Sequence, residues 1–579
     1  MCILKKSTKL LAFGLAILFL FGTLIGVTSQ NENKVANIVF EGFDGISADS
    51  NTSEISEMLS QHNDSVTLSI KFNDSYDGET ERPGFDATEE EIDNAIYQRR
   101  LEISNYYSMA NQQRFESLNI EDYSDLFISR YAPWVDVTVS QDVFLADDCK
   151  ILYDIAEHNF VDTVYVQTLE NAETRDDMAS AFPSVGLPTP TNIPSHTYDG
   201  TGVVVGVLES GGIVDIDHAN ISGSNVTTRR EWYFNETETE HALRVVSIVG
   251  ANTGIAREAT ILSVQLSGDP KSEVEWMLDN GVNIITNSWS EVDDSKTGNY
   301  KSNSAYFDYI CRLNWVTVCA SAGNSGDSNA WVGNPGLGYN VITVGASDDG
   351  TNLRSFSSYK ENFGISKPTL VAPGYSISVP TLPDTEVKNG TTYLINCGTS
   401  FSTPIVAGTI ALLMDEYPSL KTYPEVVISM LTASASDMDS TYNNYDPSGL
   451  EEKVGAGKLD YTSAQQIFGN RVTFTNSSSD IGYKTTKSVY LTAGQTIRIS
   501  LAWLVDSNDE TDTDIVTNYN LHLTNSSGTI VERSESSGNN IEFIEYTVTS
   551  TGTYTIGVYQ AGAKKGTRND YGAVTYKIS

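Results

Sequence analysis

Apolar residues gather in short runs along the middle of the chain. The run at 203–208, Val-Val-Val-Gly-Val-Leu, is almost uninterrupted, which is typical of a parallel strand buried on both faces. Similar runs, separated by segments with helical spacing, predict strands at 260–266, 283–287, 316–320 and 341–344 and helices at 241–249, 272–280 and 303–313. This alternation predicts an α/β domain with a doubly wound, mostly parallel sheet over residues 195–468.

The two flanking regions follow other patterns. In the first, residues 30–180, Thr88-Glu89-Glu90-Glu91 is a capping box that opens a helix to about residue 114. A second helix is predicted at 146–157 and strands at 134–139 and 161–167, which together make a small α+β module. The last region, residues 470–579, alternates apolar and polar residues between Gly, Asn and Ser turns. It predicts an all-β sandwich of the jelly-roll type.

The amino terminus has the pattern of a targeting segment. Three lysines precede an apolar run from residue 10 to 27, and small residues lead up to Gln30. This predicts a secretory signal peptide over residues 1–29. The run is nearly long enough to span a membrane, so an uncleaved anchor stays open as the alternative. We expect the mature protein to be soluble, outside the cell and free of membrane.

The charge balance restricts the partners. The 579 residues include 36 Lys and Arg against 75 Asp and Glu, a formal net charge of −39. Nucleic acid and anionic membranes would be repelled, so we exclude them as partners. The five cysteines match no zinc motif and no dense disulfide scaffold, and the pairing of Cys311, Cys319 and Cys397 stays open.

One segment carries a recognisable nucleophile pattern. Gly398-Thr399-Ser400-Phe401-Ser402-Thr403-Pro404 places a serine on a tight turn before a helix predicted at 403–416. A helix amino terminus offers backbone donors and a positive dipole where negative charge develops. The longer run Gly-Thr-Ser-x-x-Thr-Pro-x-Val-Ala-Gly, which ends at Gly408, resembles the nucleophile segment of the subtilisin-like serine peptidases. The resemblance assigns the nucleophile to Ser400.

A serine hydroxyl needs a base, and the resemblance supplies one. His241 starts a predicted helix similar to the histidine helix of the family, although Ala242, Leu243 and Arg244 replace the usual Gly, Thr and second His. Gly254-Ile255-Ala256 and the next strand follow in the family's order. His218 is the alternative base, and it fits better as a loop residue after a strand.

The acid that orients the histidine departs from the family. The resemblance places it at the end of the domain's first strand, where this chain has Glu209 and not the usual aspartate. A glutamate can orient a histidine, but its extra methylene requires the backbone to lie about 1.5 Å farther away. Asp215 and Asp217 follow in a loop and stay open as alternatives. We favour Glu209 because the carboxyl ends of strands are where α/β sites form.

The remaining site residues follow from the same resemblance. Asn324 would donate its side-chain amide to the oxyanion, together with the backbone N–H of Ser400. Residues 288–290, Ser288-Trp289-Ser290, would form the edge to which a substrate strand is added. Gly323 and Gly333 would complete the substrate-binding set, with Gly333 near the base of the specificity pocket and room for a large apolar side chain.

The resemblance thus implies a secreted serine endopeptidase that acts on proteins or peptides. Residues 30–180 would be a prosegment that assists folding, inhibits the enzyme and is removed by self-processing. We expect a monomer that requires no cofactor, and calcium as a structural ion stays open. The alternative is a catalytically inactive binding or scaffold protein, because Glu209 replaces the usual aspartate.

Overall fold

The protein divides into two compact units. The computed structural model describes residues 36–41, 65–167 except 75 and 79, 198–229, 238–252, 254–266, 268–291, 299–326, 331–348, 350–359, 365–380, 393–442, 449–506 and 516–579. The predicted signal peptide and the linker at 171–194 lie outside these residues. Met1–Gly78 with Arg100–Asn171 form one unit, and Glu79–Arg99 with Ala172–Ser579 form the other. The predicted prosegment differs from this division, because residues 79–99 group with the larger unit.

The smaller unit is an α+β module. Its five-stranded sheet has the order β1-β5-β2-β4-β3, in which β1 and β5 are parallel and the other pairs antiparallel. Val66, Leu68 and Ile70 alternate with polar residues on β2 and lie in a core with Val135 and Val137 of β4. The elements are β1 (Asn37–Glu41), β2 (Ser65–Phe72), the later part of α1 (Glu89–Leu118), β3 (Tyr123–Ile128), β4 (Trp134–Ser140), α2 (Gln141–Ala156) and β5 (Val161–Gln167).

Helix α1 begins as the sequence predicts. The backbone N–H of Thr88 donates to Glu91 Oε2 at 2.8 Å, and the N–H of Glu91 donates to Thr88 Oγ1 at 3.3 Å. These reciprocal bonds are the predicted capping box. The Thr88 N–H and the Thr88 hydroxyl, which both donate to the Glu91 carboxylate, lower the pKa of that carboxyl.

The larger unit is built on a seven-stranded sheet whose strands are all parallel, in the order β12-β11-β10-β9-β6-β8-β7. The predicted doubly wound α/β fold is therefore confirmed. Its strands are β6 (Val204–Ser210), β7 (Val226–Thr228), β8 (Thr260–Leu266), β9 (Ile284–Asn287), β10 (Thr317–Ser321), β11 (Val341–Ser347) and β12 (Leu370–Pro373), followed by the hairpin β13 (Tyr375–Pro380) and β14 (Tyr393–Cys397). Its helices are α3 (Glu240–Val249), α4 (Lys271–Asp279), α5 (Ser302–Asn314), α6 (Thr399–Glu416), α7 (Pro424–Ser434) and α8 (Tyr461–Ile467).

Helix α6 starts earlier than the prediction at residue 403. It begins at Thr399, so Ser400 lies inside its first turn. Pro404 lies within the helix and has no N–H to donate to the carbonyl of Ser400. The Ser288 hydroxyl donates to that carbonyl at 2.8 Å. The side chain of Ser288, which directly follows β9, thus replaces the missing helical bond, and the proline does not end the helix.

The carboxyl-terminal region is the predicted all-β sandwich. Two antiparallel four-stranded sheets have the orders β15-β22-β17-β20 and β16-β21-β18-β19. Residues of both sheets, such as Leu491, Ile499 and Leu521, share one buried core. The strands are β15 (Arg471–Asn476), β16 (Gly482–Leu491), β17 (Thr496–Trp503), β18 (Tyr519–Thr524), β19 (Ile530–Ser534), β20 (Ile541–Thr547), β21 (Gly552–Gln560) and β22 (Asp570–Ile578).

Helix α7 joins this sandwich to the parallel sheet domain. Its Ser429 and Thr432 hydroxyls bond to Thr575 of β22 at 2.9 Å and to Ser500 of β17 at 2.6 Å. Apolar residues of α7 lie in the same buried cluster as Phe543 of the sandwich and the core of the parallel sheet. The two domains therefore share a continuous core.

Among the described residues, no helix has both the length and the apolar character needed to cross a bilayer.

Candidate active site

An acid and a histidine meet at the carboxyl end of the parallel sheet. Glu209 is the penultimate residue of β6, and Gly211, with φ +90°, turns the chain away just after the strand. His241 lies in the first turn of α3, whose amino terminus is capped by the Thr239 hydroxyl. Glu209 Oε2 is in hydrogen-bond contact with His241 Nδ1, and both side chains are buried, at 0% and 6% exposed. The longer glutamate thus reaches the imidazole, and this contact fixes which ring nitrogen faces the acid.

Ser400 lies beside this pair on α6. Helices α3 and α6 pack against each other, and the ring of Phe401, the residue after Ser400, lies 5.6 Å from the His241 ring between centroids. The Ser400 hydroxyl donates to the Ser288 carbonyl at 3.1 Å. In the conformation described, the hydroxyl therefore donates to the backbone of residue 288, and it must leave this carbonyl before it can donate to another group.

Asn324 is oriented by the residue that precedes Ser400. The Thr399 N–H and the Thr399 hydroxyl both donate to Asn324 Oδ1 at 2.9 Å. Because a backbone N–H can only donate, the atom it meets must be the amide oxygen, so the Nδ2 group faces the other way. The Thr399 hydroxyl in turn accepts from the Gly323 N–H at 3.2 Å. An ideal Cβ on Gly398 would lie 3.6 Å from Asn324 Nδ2, so the donor group lies next to the start of the nucleophile helix.

Strand order explains why these residues converge. Strands β6, β9 and β10 are neighbours in the sheet. Glu209 ends the first, Ser288 follows the second and Asn324 follows the third. The carboxyl ends of parallel strands lie along one edge of a sheet, which is where ligand sites of α/β folds form.

The predicted substrate edge has an unexpected feature. Ser288 and Trp289 are both 1% exposed, and the Trp289 carbonyl accepts from the Ser321 hydroxyl at 3.3 Å. The bulk of Trp289 is therefore in the protein interior. A Cβ on Gly333 would lie 2.8 Å from the Ser290 Cβ, so the glycine permits close packing against Ser290.

The rival residues have other roles. His218 lies in a loop after β6, where its Nδ1 accepts from the Asn220 N–H at 3.1 Å. Asp215 accepts from the Asp217 N–H at 2.9 Å within that loop, and Asp217 is exposed. Glu209 is the acid that contacts His241 in the described structure.

Two contacts of the site were not predicted from the sequence, although Ser288 itself was predicted as part of the substrate edge. Thr399 orients Asn324, and Ser288 binds both the carbonyl and the hydroxyl of Ser400. The proline four residues after Ser400 was an available signal for the contact of Ser288, because it predicts a carbonyl without a helical donor.

Among the described residues, no group of three or more His, Cys, Asp or Glu side chains is arranged to hold a metal ion. Cys311 and Cys319 are buried free thiols and are not paired with each other.

An acid, a histidine and a serine gathered at the edge of a parallel sheet make the arrangement of an α/β serine hydrolase. The chain belongs to the subtilase family, whose family model matches residues 200–457, and it is a serine-type endopeptidase. A model of the bacterial pre-peptidase C-terminal domain matches residues 483–560. Subtilisin BL of Lederbergia lenta is 31% identical over 238 residues, 38% of this chain and 79% of that protein. Subtilisin DY of Bacillus licheniformis is 28% identical over 266 residues, 43% of this chain and 89% of that protein.

A solved structure extends the likeness to most of the chain. Fervidolysin from Fervidobacterium pennivorans, a keratinolytic enzyme related to subtilisin, matches with a TM-score of 0.50 at 14% identity. The match covers 93% of this chain and 80% of that chain. At this identity the likeness concerns the fold alone.

Proposed function

We propose that the protein is a secreted endopeptidase that cleaves peptide bonds through an acyl-enzyme on Ser400. The observation that carries this proposal is the buried contact between Glu209 and His241 beside the helix that bears Ser400. A serine hydroxyl is a weak nucleophile until a neighbouring base takes its proton. Because Nδ1 meets the acid, Nε2 is the nitrogen that would take the proton.

The first step uses the rotated Ser400 side chain. Its Oγ leaves the Ser288 carbonyl and attacks the scissile carbonyl while His241 takes the hydroxyl proton. Glu209 stays ionised, holds the ring in one tautomer and stabilises the imidazolium. His241 then gives the proton to the leaving amine as the carbon–nitrogen bond breaks. A water molecule, deprotonated by the same imidazole, hydrolyses the ester and restores Ser400.

The negative oxygen of the tetrahedral intermediate needs preorganised donors. The N–H of Ser400 lies in the first turn of α6, where backbone donors have no partner within the helix. The Nδ2 group of Asn324 is the second donor, because Thr399 holds the amide oxygen on the opposite side. Both donors are fixed before substrate arrives.

The substrate is a protein or peptide that binds as an added strand along residues 288–290, with Gly323 and Gly333 lining the site. The linker that follows the predicted prosegment is the first substrate in this proposal, because the enzyme would cut it during maturation. The signal peptide pattern at residues 1–29 supports secretion, and no cofactor is needed for this chemistry.

Labelling with a fluorophosphonate probe tests the proposal on the purified full chain. We expect the probe to modify the parent protein at Ser400 and to leave Ser400→Ala and His241→Ala unmodified. Ser222→Ala, which changes an exposed loop serine, is the matched control and should label as the parent does. A folded, processed parent that is not labelled would favour the inactive scaffold.

Amino-terminal sequencing tests self-processing separately. Ser400→Ala, produced in a protease-deficient host, should remain a single chain, whereas the parent should show a new amino terminus where the linker is cut. Complete cutting of the linker in Ser400→Ala would show that another protease does the cutting.

A further inference from the structure

A segment of the predicted prosegment belongs to the larger unit, which carries the candidate active site and is called the peptidase unit below. Residues 80–99, called the anchor segment below, precede helix α1 and form its first turns. Arg82 makes an ion pair with Glu425 at 2.6 Å, and the two side chains are 5% and 2% exposed. The Arg82 guanidinium also lies 4.2 Å from the ring centroid of Tyr571 and 5.1 Å from that of Tyr423. One arginine thus contacts both the α/β domain and the β-sandwich.

Aromatic stacking continues this contact. Phe85 stacks on Tyr423 with centroids 4.3 Å apart and planes at 24°. The guanidinium of Arg471 lies 3.9 Å from the Phe85 ring, and the Tyr423 hydroxyl donates to the Pro83 carbonyl at 3.0 Å. Stacked aromatic and cation–π contacts of this kind add to the stability gained by burial alone.

The first turns of α1 add an apolar contact. Ile92 and Ile96 form a small buried cluster with Trp315. Arg99 donates from Nε to the Leu313 carbonyl at 3.0 Å and lies 5.5 Å from the Trp315 ring centroid. This face of α1 is therefore an interior surface of the peptidase unit.

A buried lysine depends on the same segment for its counter-charges. Lys421 has a side chain that is 0% exposed and contacts Glu89 at 2.8 Å and Asp93 at 3.0 Å. Over the described part of the chain, the carboxylates that meet Lys421 and the guanidinium that meets Glu425 all come from the anchor segment. Removal of the segment would take away both carboxylates from Lys421, which would keep its bond to the Gly202 carbonyl at 2.8 Å, and would take away the guanidinium from Glu425.

We propose that the anchor segment stays bound after the linker between residues 168 and 197 is cut, so that the mature enzyme consists of two chains. The peptidase surface formed by Trp315, Lys421, Tyr423, Glu425 and Tyr571 is a binding site for residues 80–99. Helix α1 continues from this segment into the smaller unit, so the whole amino-terminal fragment is retained by it. This inference rests on the proposed processing, because the two chains arise only if the linker is cut. It does not depend on the catalytic mechanism.

The test uses the full chain in its Ser400→Ala form, with a recognition site for an unrelated sequence-specific protease inserted between residues 168 and 197. After cutting, the two fragments are run together by size exclusion at decreasing protein concentration in 0.5 M salt. We expect them to elute as one species down to nanomolar concentration. Separation of the parent fragments at micromolar concentration would overturn the proposal.

Variants assign the retention to the anchor. Arg82→Ala with Phe85→Ala should weaken retention at least 100-fold, and Lys150→Ala, which changes an exposed ion pair of the smaller unit, should not change it. If the double variant does not fold uncut, Glu89→Gln with Asp93→Asn preserves side-chain shape on a partly exposed face and should weaken retention about tenfold. Unchanged retention in a folded anchor variant would place the attachment elsewhere and refute the inference.

Discussion

The active site and the anchor surface bury charged groups in different ways. At the site, Glu209 and His241 are 32 residues apart, and each stands at the end of an element of the parallel sheet domain. At the anchor, Arg82 and Glu425 are 343 residues apart and are surrounded by aromatic rings. The site holds a few groups in one geometry, whereas the anchor spreads its contacts over many side chains. The comparison suggests that substitutions at the site affect rate and substitutions at the anchor affect stability.

The largest expected effect is on rate at Glu209. Glu209→Ala removes the acid that orients His241, and we expect kcat to fall by about 10⁴-fold with little loss of stability, as for other triad acids. Glu209→Asp keeps the charge but shortens the side chain, so its kcat should lie between that of the parent and that of Glu209→Ala. Steady-state hydrolysis of a peptide substrate measures both.

Asp217→Ala is the matched control, because Asp217 lies exposed in the loop that follows β6. Its kcat should equal that of the parent. A large fall in kcat for Asp217→Ala, with normal kcat for Glu209→Ala, would show that Asp217 is the acid and that Glu209 is not.

A smaller loss of rate is expected at Asn324. Asn324→Ala removes one of the two proposed oxyanion donors, and we expect kcat to fall by about 10²–10³-fold with KM almost unchanged. Thr399→Val, which removes the hydroxyl that holds Asn324 Oδ1, should lower kcat less than Asn324→Ala does. A rise in KM with kcat unchanged would indicate that Asn324 binds the substrate equally well in the ground state and the transition state.

At the anchor, stability should change and rate should not. Arg82→Ala leaves Glu425 buried without its guanidinium, and we expect the free energy of unfolding to fall by about 3–5 kcal/mol. Urea unfolding of the uncut Ser400→Ala chain measures this, with Lys150→Ala as an exposed ion-pair control that should be unchanged. If Arg82→Ala unfolds at the parent's midpoint, the ion pair contributes nothing to stability.

The smallest expected effect concerns pH and another buried pair. Burial disfavours the Asp506 carboxylate, but Arg568, 2.6 Å away, and Arg312 outweigh this and lower the pKa of Asp506. A lowered folded-state pKa gives stability that is present above the unfolded value of about 3.9 and is lost as pH falls through the folded value. Asp506→Asn should therefore be less stable than the parent at pH 7, and this difference should shrink below pH 4.

Urea midpoints at pH 7, 5, 4 and 3 check this expectation. A difference between parent and Asp506→Asn that stays constant down to pH 3 would contradict it.

The comparison also explains what could be predicted from sequence. Ser400, His241, Glu209 and Asn324 were accessible because catalysis requires particular residue types at strand and helix ends, and these leave short local patterns. Whether Glu209 could reach His241 was not accessible, since it depends on the path of the backbone in three dimensions. The anchor left no local pattern, because any arginine and any aromatic residue would serve if the fold brought them together. Helix α7 likewise has no local pattern that predicts its position at the junction of two domains, because its buried apolar and hydroxyl residues would suit any interior helix.

The position of helix α7 has a consequence for how the protein unfolds. One face of the helix lies on the β-sandwich, and its apolar residues also belong to the core of the parallel sheet. If either domain unfolded alone, buried residues of this helix would become exposed to water. Heating should therefore produce a single calorimetric transition for both domains. The chain is modular in its sequence, but we expect the two domains to unfold as one cooperative unit.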